Sequence, residues 1–527
     1  MSLRTKKECI YMDDMLIVCS ECGKEFVFTS GEQSFYKKMG FQNPRKCQSC
    51  RMRGKQNAFF QTISSEWKRD AIKEKGKYFY DDGEISQLRS GDKYFVIGRK
   101  GAGKTAIADY INGIDTYNTF STKISFKNFP FNELYSYTND SFTAPNQYIS
   151  IWKYVIYSSI CQLLAKNENL DSEVSASLKK LYGMDTERKL SKLIEKWTAT
   201  SFNLEVLGIG AGGERTKNDK SSWIEKLDVL EDVIQEYADQ SSYFVLIDEL
   251  DENYTIFESE SARKKYFDLI TSLFKAVQDI KSSLSDDIKV YPIVFLREDI
   301  FNLITDPDKN KWHDYSINLK WDIAKIRNML KHRISTVTKS HYTSFDDAWH
   351  SLFLNDEILI GNRRAKAVNS FDYIDRLAQL RPRDYIEYIR ECAELALKRG
   401  ELQISGEIVK YNNREFSNYL LNEIRDEAHS ALPEFDAVIA LLPLIRKPVF
   451  SFEDFKREYD KALERRSLVT EKNYEKVLEL LFEYGVIGNV PKMKGKAVFR
   501  YEYPNAKINQ NERVIIHRGL YGALQIF

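Results

Sequence analysis

At 527 residues the chain exceeds what one hydrophobic core organises, and at roughly 150 residues per domain it points to about three or four domains. A formal net charge of +1 gives no global field towards nucleic acid or membrane, so any basic surface must be local. An apolar fraction of 43%, with 13% aromatic residues, excludes a disordered chain, and no apolar run reaches membrane-spanning length. The polar, charged segment Met1 to Cys9 has no secretory core behind it, which points to the cytoplasm.

The cysteines are Cys9, Cys19, Cys22, Cys47, Cys50, Cys161 and Cys392, an odd count with two tight pairs that argues against a disulfide framework. Cys19-Ser20-Glu21-Cys22 and Cys47-Gln48-Ser49-Cys50 are C-x-x-C knuckles with 24 residues between them, a little longer than the usual zinc-ribbon spacing. Four thiolates close a tetrahedral shell around Zn²⁺ with no open position, so the expected site is structural. Zinc binding supplies on the order of 10 kcal/mol to domains this small. A thioredoxin-like redox pair is the rival reading, but the stretch has no βαβ pattern. From Gln33 to Lys55 there are seven Lys or Arg and no acid, interleaved with Phe35, Tyr36 and Phe41. Such a stretch can grip nucleic acid or offset the two negative charges of a Cys₄ zinc centre, and the residues do not separate the two.

Residues 56–90 read as mixed helix and loop, with Tyr78-Phe79-Tyr80, Ile85 and Leu88 packing under the domain that follows. The apolar run Tyr94-Phe95-Val96-Ile97 then leads into Gly98-Arg99-Lys100-Gly101-Ala102-Gly103-Lys104-Thr105 and a helix-like Ala106 to Ile111. This is the G-x-x-x-x-G-K-[ST] phosphate loop in its strand–loop–helix setting, a context that argues against a chance glycine-rich turn. Its glycines let successive backbone N–H groups converge on one anion, and the following helix adds the positive end of its dipole. Lys104 would reach the β and γ phosphates, and the Thr105 hydroxyl would ligate Mg²⁺.

Lys123 to Phe126 is a short strand candidate, and Tyr148 to Leu164 has the spacing of a buried helix, with Cys161 as core. Residues 165–240 form a polar, helical insertion. Within it Gly208-Ile209-Gly210-Ala211-Gly212-Gly213 satisfies G-x-G-x-x-G, but the polar Glu214 to Lys220 next to it favours a flexible glycine loop over a dinucleotide site. Tyr243 to Ile247 is an apolar strand running into Asp248 and Glu249, the acidic pair that a triphosphate site needs: Asp248 for the Mg²⁺ shell, Glu249 to orient and deprotonate water. Lys289 to Leu296 is a further buried strand, ending in Arg297. An arginine there points into the crevice of the phosphate loop and can sense the γ-phosphate; a surface salt bridge is the alternative. Ser316 to Leu319 closes a five-stranded parallel sheet, so the fold class is α/β.

Helical patterns come next at Asp322 to Ile334, Asp372 to Leu380 and Tyr385 to Lys398. Arg381-Pro382-Arg383-Asp384 puts Arg383 at a helix start, where a cation is disfavoured unless an anion is near, so it can lean over a nucleotide; pairing with Asp384 is the alternative. Phe435 to Ile445, Phe452 to Leu463 and Tyr474 to Tyr484 are three helix-like pieces. A hairpin of Val486 to Val490 and Ala497 to Tyr503 would complete the layout of a winged helix. Gly485 to Arg500 holds four basic residues and no acid, which makes the wing the better phosphate contact. His517-Arg518-Gly519-Leu520 reads as packing or capping. The expected domains are thus a Cys₄ zinc ribbon (1–55), a phosphate-loop ATPase core (56–320), a helical lid (321–430) and a winged helix (431–527).

With these motifs in order, the chain resembles the AAA+-related prokaryotic P-loop ATPases of the STAND and origin-recognition type. The resemblance rests on Gly98 to Gly101, Leu246-Ile247-Asp248-Glu249-Leu250-Asp251, Arg381 to Asp384 and His517 to Leu520; it covers residues 75–527 and leaves the zinc ribbon outside. It implies a sensor-1 role for Arg297, a sensor-2 role for Arg383, ATP as substrate with Mg²⁺, assembly into homo-oligomers, and in some relatives an effector subunit and a phage-defence setting. The insertion at 165–240 departs from the family pattern, and Arg263 is the one candidate arginine finger. An ATP-hydrolysing switch is therefore the first expectation. A nucleic-acid-binding scaffold with a structural or slow nucleotide site, gripping DNA through ribbon and wing, is the second. A nuclease or protease in the same chain finds no supporting constellation.

Overall fold

The computed structural model describes residues 13–68, 74, 76–126, 135, 146–182, 223–251, 260–360, 366–492 and 495–526, with the side chains of 181–182 and 223–226 set aside. Strands run in chain order as β1 (Met15–Val18), β2 (Glu25–Phe28), β3 (Phe95–Gly98), β4 (Thr119–Ser125), β5 (Ser242–Asp248), β6 (Val290–Arg297), β7 (Ser316–Leu319), β8 (Ile358–Ile360), β9 (Lys366–Val368), β10 (Val449–Phe450), β11 (Ile487–Val490) and β12 (Arg513–Ile516). Contacts divide the chain into two units. One joins Met1–Trp67 to Ile334–Tyr373 and Tyr388–Asn412; the other joins Lys68–Arg333 to Ile374–Glu387 and Asn413–Phe527. Of the stretch 321–430, expected as a lid, residues 334–373 and 388–412 fall in the first unit and the rest in the second.

The larger unit is built on a parallel five-stranded sheet of order β4-β5-β6-β3-β7. Every residue of β3 and β6 is buried, because parallel strands carry helices on both faces and so read as continuous apolar runs. One face packs against the helices Ile149–Leu164, Trp223–Tyr237 and Glu260–Ser283, with Trp152, Phe274 and Trp312 in its core. The other packs against Glu84–Arg89 and Lys104–Asn112 through Ile85, Leu88, Ile107 and Ile111. The Trp152 indole donates to the Leu269 carbonyl at 2.9 Å, which ties two of these helices by a bond no solvent can replace. The Gly208 to Gly213 motif and the strand-like stretch before it lie outside the described residues.

At the carboxyl end of this unit an antiparallel sheet of order β10-β12-β11 is interleaved with helices: Phe435–Ile439 and Leu442–Ile445 come before β10, and Phe452–Glu464 and Tyr474–Glu483 lie between β10 and β11. The hairpin differs from expectation: β11 pairs with β12 at 513–516, and residues 497–503 contribute a single bridge, Val498 to Asn489. The interval 499–505 turns instead, and Pro504 has no N–H to extend a ladder. Arg500, counted among the wing's basic residues, is tied to Glu483 at 3.0 Å.

The smaller unit starts with the β1–β2 hairpin, which carries the first knuckle at its turn. The helix Ser30–Met39 comes next, behind a capping box of Thr29 and Glu32. The second knuckle is not on another hairpin, as a ribbon requires: Cys47 is the N-cap and Cys50 lies in the first turn of the 19-residue helix Gln48–Glu66. That helix supplies the first part of the stretch expected as mixed helix and loop over 56–90, where turns at 76–83 and the helix Glu84–Arg89 follow. The buried Phe60 and Ile63 of Gln48–Glu66, with Trp67, fill the core, and Gln56 donates to the Ser351 carbonyl at 2.9 Å. Among the described residues no helix is long and apolar enough to cross a membrane.

Trp152 is fully buried and its indole N–H is satisfied, so Trp152→Ala should cost about 3–5 kcal/mol. Urea unfolding followed by tryptophan fluorescence checks this; a loss below about 1 kcal/mol would contradict the packing described.

Candidate nucleotide site and metal centre

β3 delivers the phosphate loop at the carboxyl edge of the sheet, with Gly98 in register between Arg297 of β6 and Leu319 of β7. A Cβ on Gly98 would stand 3.0 Å from the Leu319 Cβ and 3.3 Å from the Ala102 Cβ, so a side chain there would force its neighbours to shift. Gly101 (φ +79°) and Gly103 (φ +103°) take left-handed conformations that curl the loop, and Gly103 is the N-cap of the helix that Lys104 opens. The Lys104 ammonium donates to the carbonyls of Gly98 at 2.9 Å and Arg99 at 3.1 Å. Burial pulls its pKa down, against Asp251 and Asp248 which favour the charge.

Above the loop lies a cavity of about 440 Å³, walled by Gly101 to Thr105, Glu249, Arg383, and an aromatic side of Tyr78, Phe79, Tyr80 and Trp321. The Trp321 indole donates to the Ala102 carbonyl at 2.8 Å and so braces the loop from outside. A lone tryptophan after the last strand carries no sequence signal for that role.

Asp248 ends β5 and is 2% exposed. Its Oδ2 accepts no hydrogen bond; its charge is balanced by the Lys123 ammonium at 3.2 Å, which also reaches Asp109 at 2.8 Å. Thr105 lines the cavity and Asp248 does not; each offers a hard oxygen donor of the type that suits Mg²⁺. Lys123 was expected as a strand residue, not as a charge partner; alternation along β4 puts it on the same side as Ser125. Glu249 has φ +61°, a conformation costing of order 1–3 kcal/mol for a residue with a Cβ. It turns the side chain to the cavity wall, where its carboxylate accepts from the Ser125 hydroxyl.

The two arginines expected as sensors sit differently. Arg297 is 4% exposed and forks onto Asp299 (3.0 and 2.6 Å) while reaching Asp251 at 3.4 Å. Its salt bridge is thus made, but in the interior and not on the surface. Arg383 lines the cavity beside Gly101 and donates to Glu423 at 3.1 Å. Its alternative partner, Asp384, is engaged elsewhere: it accepts from the Gln379 N–H at 3.0 Å and from Arg381 at 3.1 Å. Arg99 and Lys100 direct their side chains away from the cavity. Arg99 donates to Gln379 and lies 5.7 Å from the Tyr501 ring centre, while Lys100 pairs with Asp426 at 3.5 Å and Glu423 at 3.8 Å. Glu427 is buried beside them. Burial would raise its pKa, but Arg99, Arg381, Arg297 and Lys100 hold it below the usual carboxylate range. His517 is buried too, pushed down to about 3 by burial and by Arg381 and Arg99. As a neutral ring it accepts from the Gly519 N–H at 3.1 Å and meets the Tyr501 hydroxyl at 3.0 Å, a capping role.

In the smaller unit the sulfurs of Cys19, Cys22, Cys47 and Cys50 lie within 4.8 Å of one another, the spread of a tetrahedral thiolate shell. Backbone N–H groups of Cys22 and Cys47 hold the Cys19 thiol down at about 6, while burial and the other thiols push Cys50 up to about 12. A divalent cation resolves that conflict by taking the proton's place.

Removing Lys123 alone leaves Asp248 and Asp109 without their shared cation. Lys123→Met is expected to destabilise the larger unit by about 3–5 kcal/mol, measured by denaturant unfolding, with part of the loss recovered when the more deeply buried acid is also neutralised in Lys123→Met/Asp248→Asn.

A family model described as "Probable treble clef domain" matches residues 13–58, and one described as "FunZ-associated C-terminal helical domain" matches residues 324–425. A search of the curated proteins finds no match. Among solved structures the chain is similar to the Aeropyrum pernix ORC2 protein in its ADPNP–ADP complexes, at 11% identity over 84% of this chain and 89% of that one, with a TM-score of 0.39. It is also similar to the Aeropyrum pernix ORC1 protein in complex with DNA (13% identity, 84% and 91% coverage, TM-score 0.35) and to Drosophila ORC bound to DNA (12%, 94% and 100%, TM-score 0.26). The treble-clef match includes all four clustered cysteines and corrects the expected ribbon: knuckle, hairpin and a helix supplying the second cysteine pair form a treble-clef zinc centre.

Proposed function

We propose that the chain is a Mg²⁺-dependent ATPase of the AAA+ class that works as a nucleotide-gated switch. The observation that carries the reading is the cavity in which the phosphate loop, Glu249 and Arg383 meet at the carboxyl edge of a parallel sheet. Backbone N–H groups of residues 101–105 would take the phosphates, and Lys104 would exchange its two loop carbonyls for phosphate oxygens. Thr105 and Asp248 would hold Mg²⁺, which neutralises charge on the phosphates when bound. Glu249, on leaving Ser125, orients a water and takes its proton; Arg383, on leaving Glu423, meets the γ-phosphate. Arg297, held by Asp299 and Asp251, sits one strand away as a second responder.

The switch reading draws support from Arg99 and Lys100. They belong to the loop that grips phosphate, yet their side chains bind Gln379, Tyr501, Glu423 and Asp426, so loop movement pulls on the carboxyl-terminal helices. The helices from 435 and the β10-β12-β11 sheet have the layout of a winged helix, which would present DNA or a protein partner with the nucleotide state. The resemblance to STAND and origin-recognition ATPases extends the proposal to homo-oligomers that control an effector or DNA, in a prokaryotic cytoplasm and in phage defence, with the four-part domain plan of the sequence.

Purified chain should bind ATP with Mg²⁺ and release phosphate. Lys104→Ala is expected to abolish binding, and Glu249→Gln to keep binding while slowing phosphate release by about 10²–10⁴-fold. Fluorescent-nucleotide titration and a phosphate-release assay read the two separately. Turnover of Glu249→Gln at the wild-type rate would remove Glu249 as the base, and a wild-type chain that takes up no nucleoside triphosphate would remove the whole reading.

A further inference from the structure

The seven basic residues between Gln33 and Lys55 have two explanations in sequence, and the structure separates them. Lys46 is the cation beside the first knuckle, paired with Glu21 at 2.6 Å, and it accounts for a charge offset at the zinc centre. Lys37, Lys38, Arg45 and Arg53 are exposed and make no ion pair among the described residues. Lys37 and Lys38 form the last turn of the helix Ser30–Met39, whose dipole end welcomes cations but does not use them up.

The same turn carries an unusual apolar feature. Gly40 adopts φ +70°, and the N–H of Phe41 bonds back to the Tyr36 carbonyl at 2.8 Å, which folds Phe41 against Phe35 and Tyr36. The three rings meet edge to face, with centroids 5.8–6.5 Å apart. Tyr36 is anchored beneath by Phe28 at 5.1 Å and by a hydrogen bond from Arg51. Phe35 and Phe41 nevertheless remain 54% and 55% exposed. Two rigidly braced phenylalanines open to water, flanked by free lysines, match a base-stacking platform with phosphate contacts beside it.

We infer that the end of helix Ser30–Met39 binds single-stranded nucleic acid, stacking unpaired bases on Phe35 and Phe41 while Lys37 and Lys38 hold adjacent phosphates. A duplex keeps its base faces stacked inside and offers these rings nothing, and a chain of net charge +1 has no global attraction for it. The inference stands apart from the ATPase reading, since it involves none of the same residues.

The test uses zinc-loaded full-length chain and fluorescence anisotropy with labelled dT and rU strands of about 20 nucleotides, longer than one binding site, and a matching duplex. Single strands should bind more tightly than duplex; binding of dT, rU or both supports the proposal and tells which strand is taken. Phe35→Ala/Phe41→Ala should weaken single-strand binding by about ten- to hundred-fold with the salt slope kept, and Phe35→Trp/Phe41→Trp should retain it. Lys37→Glu/Lys38→Glu should flatten the salt slope by about 1 or more. Zinc content of each variant reports an intact fold. Failure of wild type to bind single strands, duplex binding that falls as far as single-strand binding in Phe35→Ala/Phe41→Ala, or alanine variants that keep their zinc and full single-strand affinity would each overturn the proposal.

Discussion

The half-buried Lys104, whose ammonium bonds two carbonyls of its own loop, is the contact around which the larger unit is arranged. One of those carbonyls belongs to Gly98, packed closely between Arg297 and Leu319 at the strand end. The loop also requires two left-handed residues, Gly101 and Gly103, where any other residue would be strained. Trp321 then braces the loop through the Ala102 carbonyl. The ammonium's partners here are neutral carbonyl dipoles, which bind it less strongly than charged oxygens would.

The acids facing this loop are restrained in the same manner. Lys123 serves Asp248 and Asp109 together, and Ser125, two residues along the same strand, serves Glu249. One edge strand therefore governs both members of the acidic pair. The register of β4 on β5, with Ser125 opposite Asp248, makes this possible, and a slip of one residue would turn Lys123 and Ser125 to the opposite face. Strain at Glu249 belongs to the same arrangement, since its left-handed backbone aims the carboxylate at the cavity.

The third layer of the site lies behind the loop. Arg99, Lys100, Arg381 and Arg297 surround the buried Glu427, and Gln379, Tyr501 and His517 close the polar cluster. So many charges out of water stabilise one another only in a particular geometry, and removing any one of them leaves the rest uncompensated. Gln379 also donates to the Gly485 carbonyl at 3.0 Å, so the cluster reaches the loop before β11.

The sequence by itself determined the features whose chemistry is local. The phosphate loop, the Asp248-Glu249 pair, the four-cysteine set and the five parallel strands are each encoded within a few consecutive residues, by glycine spacing, by an apolar run ending in acids, or by paired thiols. Tertiary structure alone decided what depends on pairs far apart in the chain: Lys123 with Asp248, Trp321 with Ala102, Arg383 with Glu423, and the choice of 513–516 over 497–503 as partner for β11. The ribbon became a treble clef for the same reason, because C-x-x-C spacing specifies four ligands but not whether a hairpin or a helix start presents the second pair. Periodicity records which face of an element is buried; it holds no record of which distant side chain arrives there, and charge pairing and strand choice are made at that arrival.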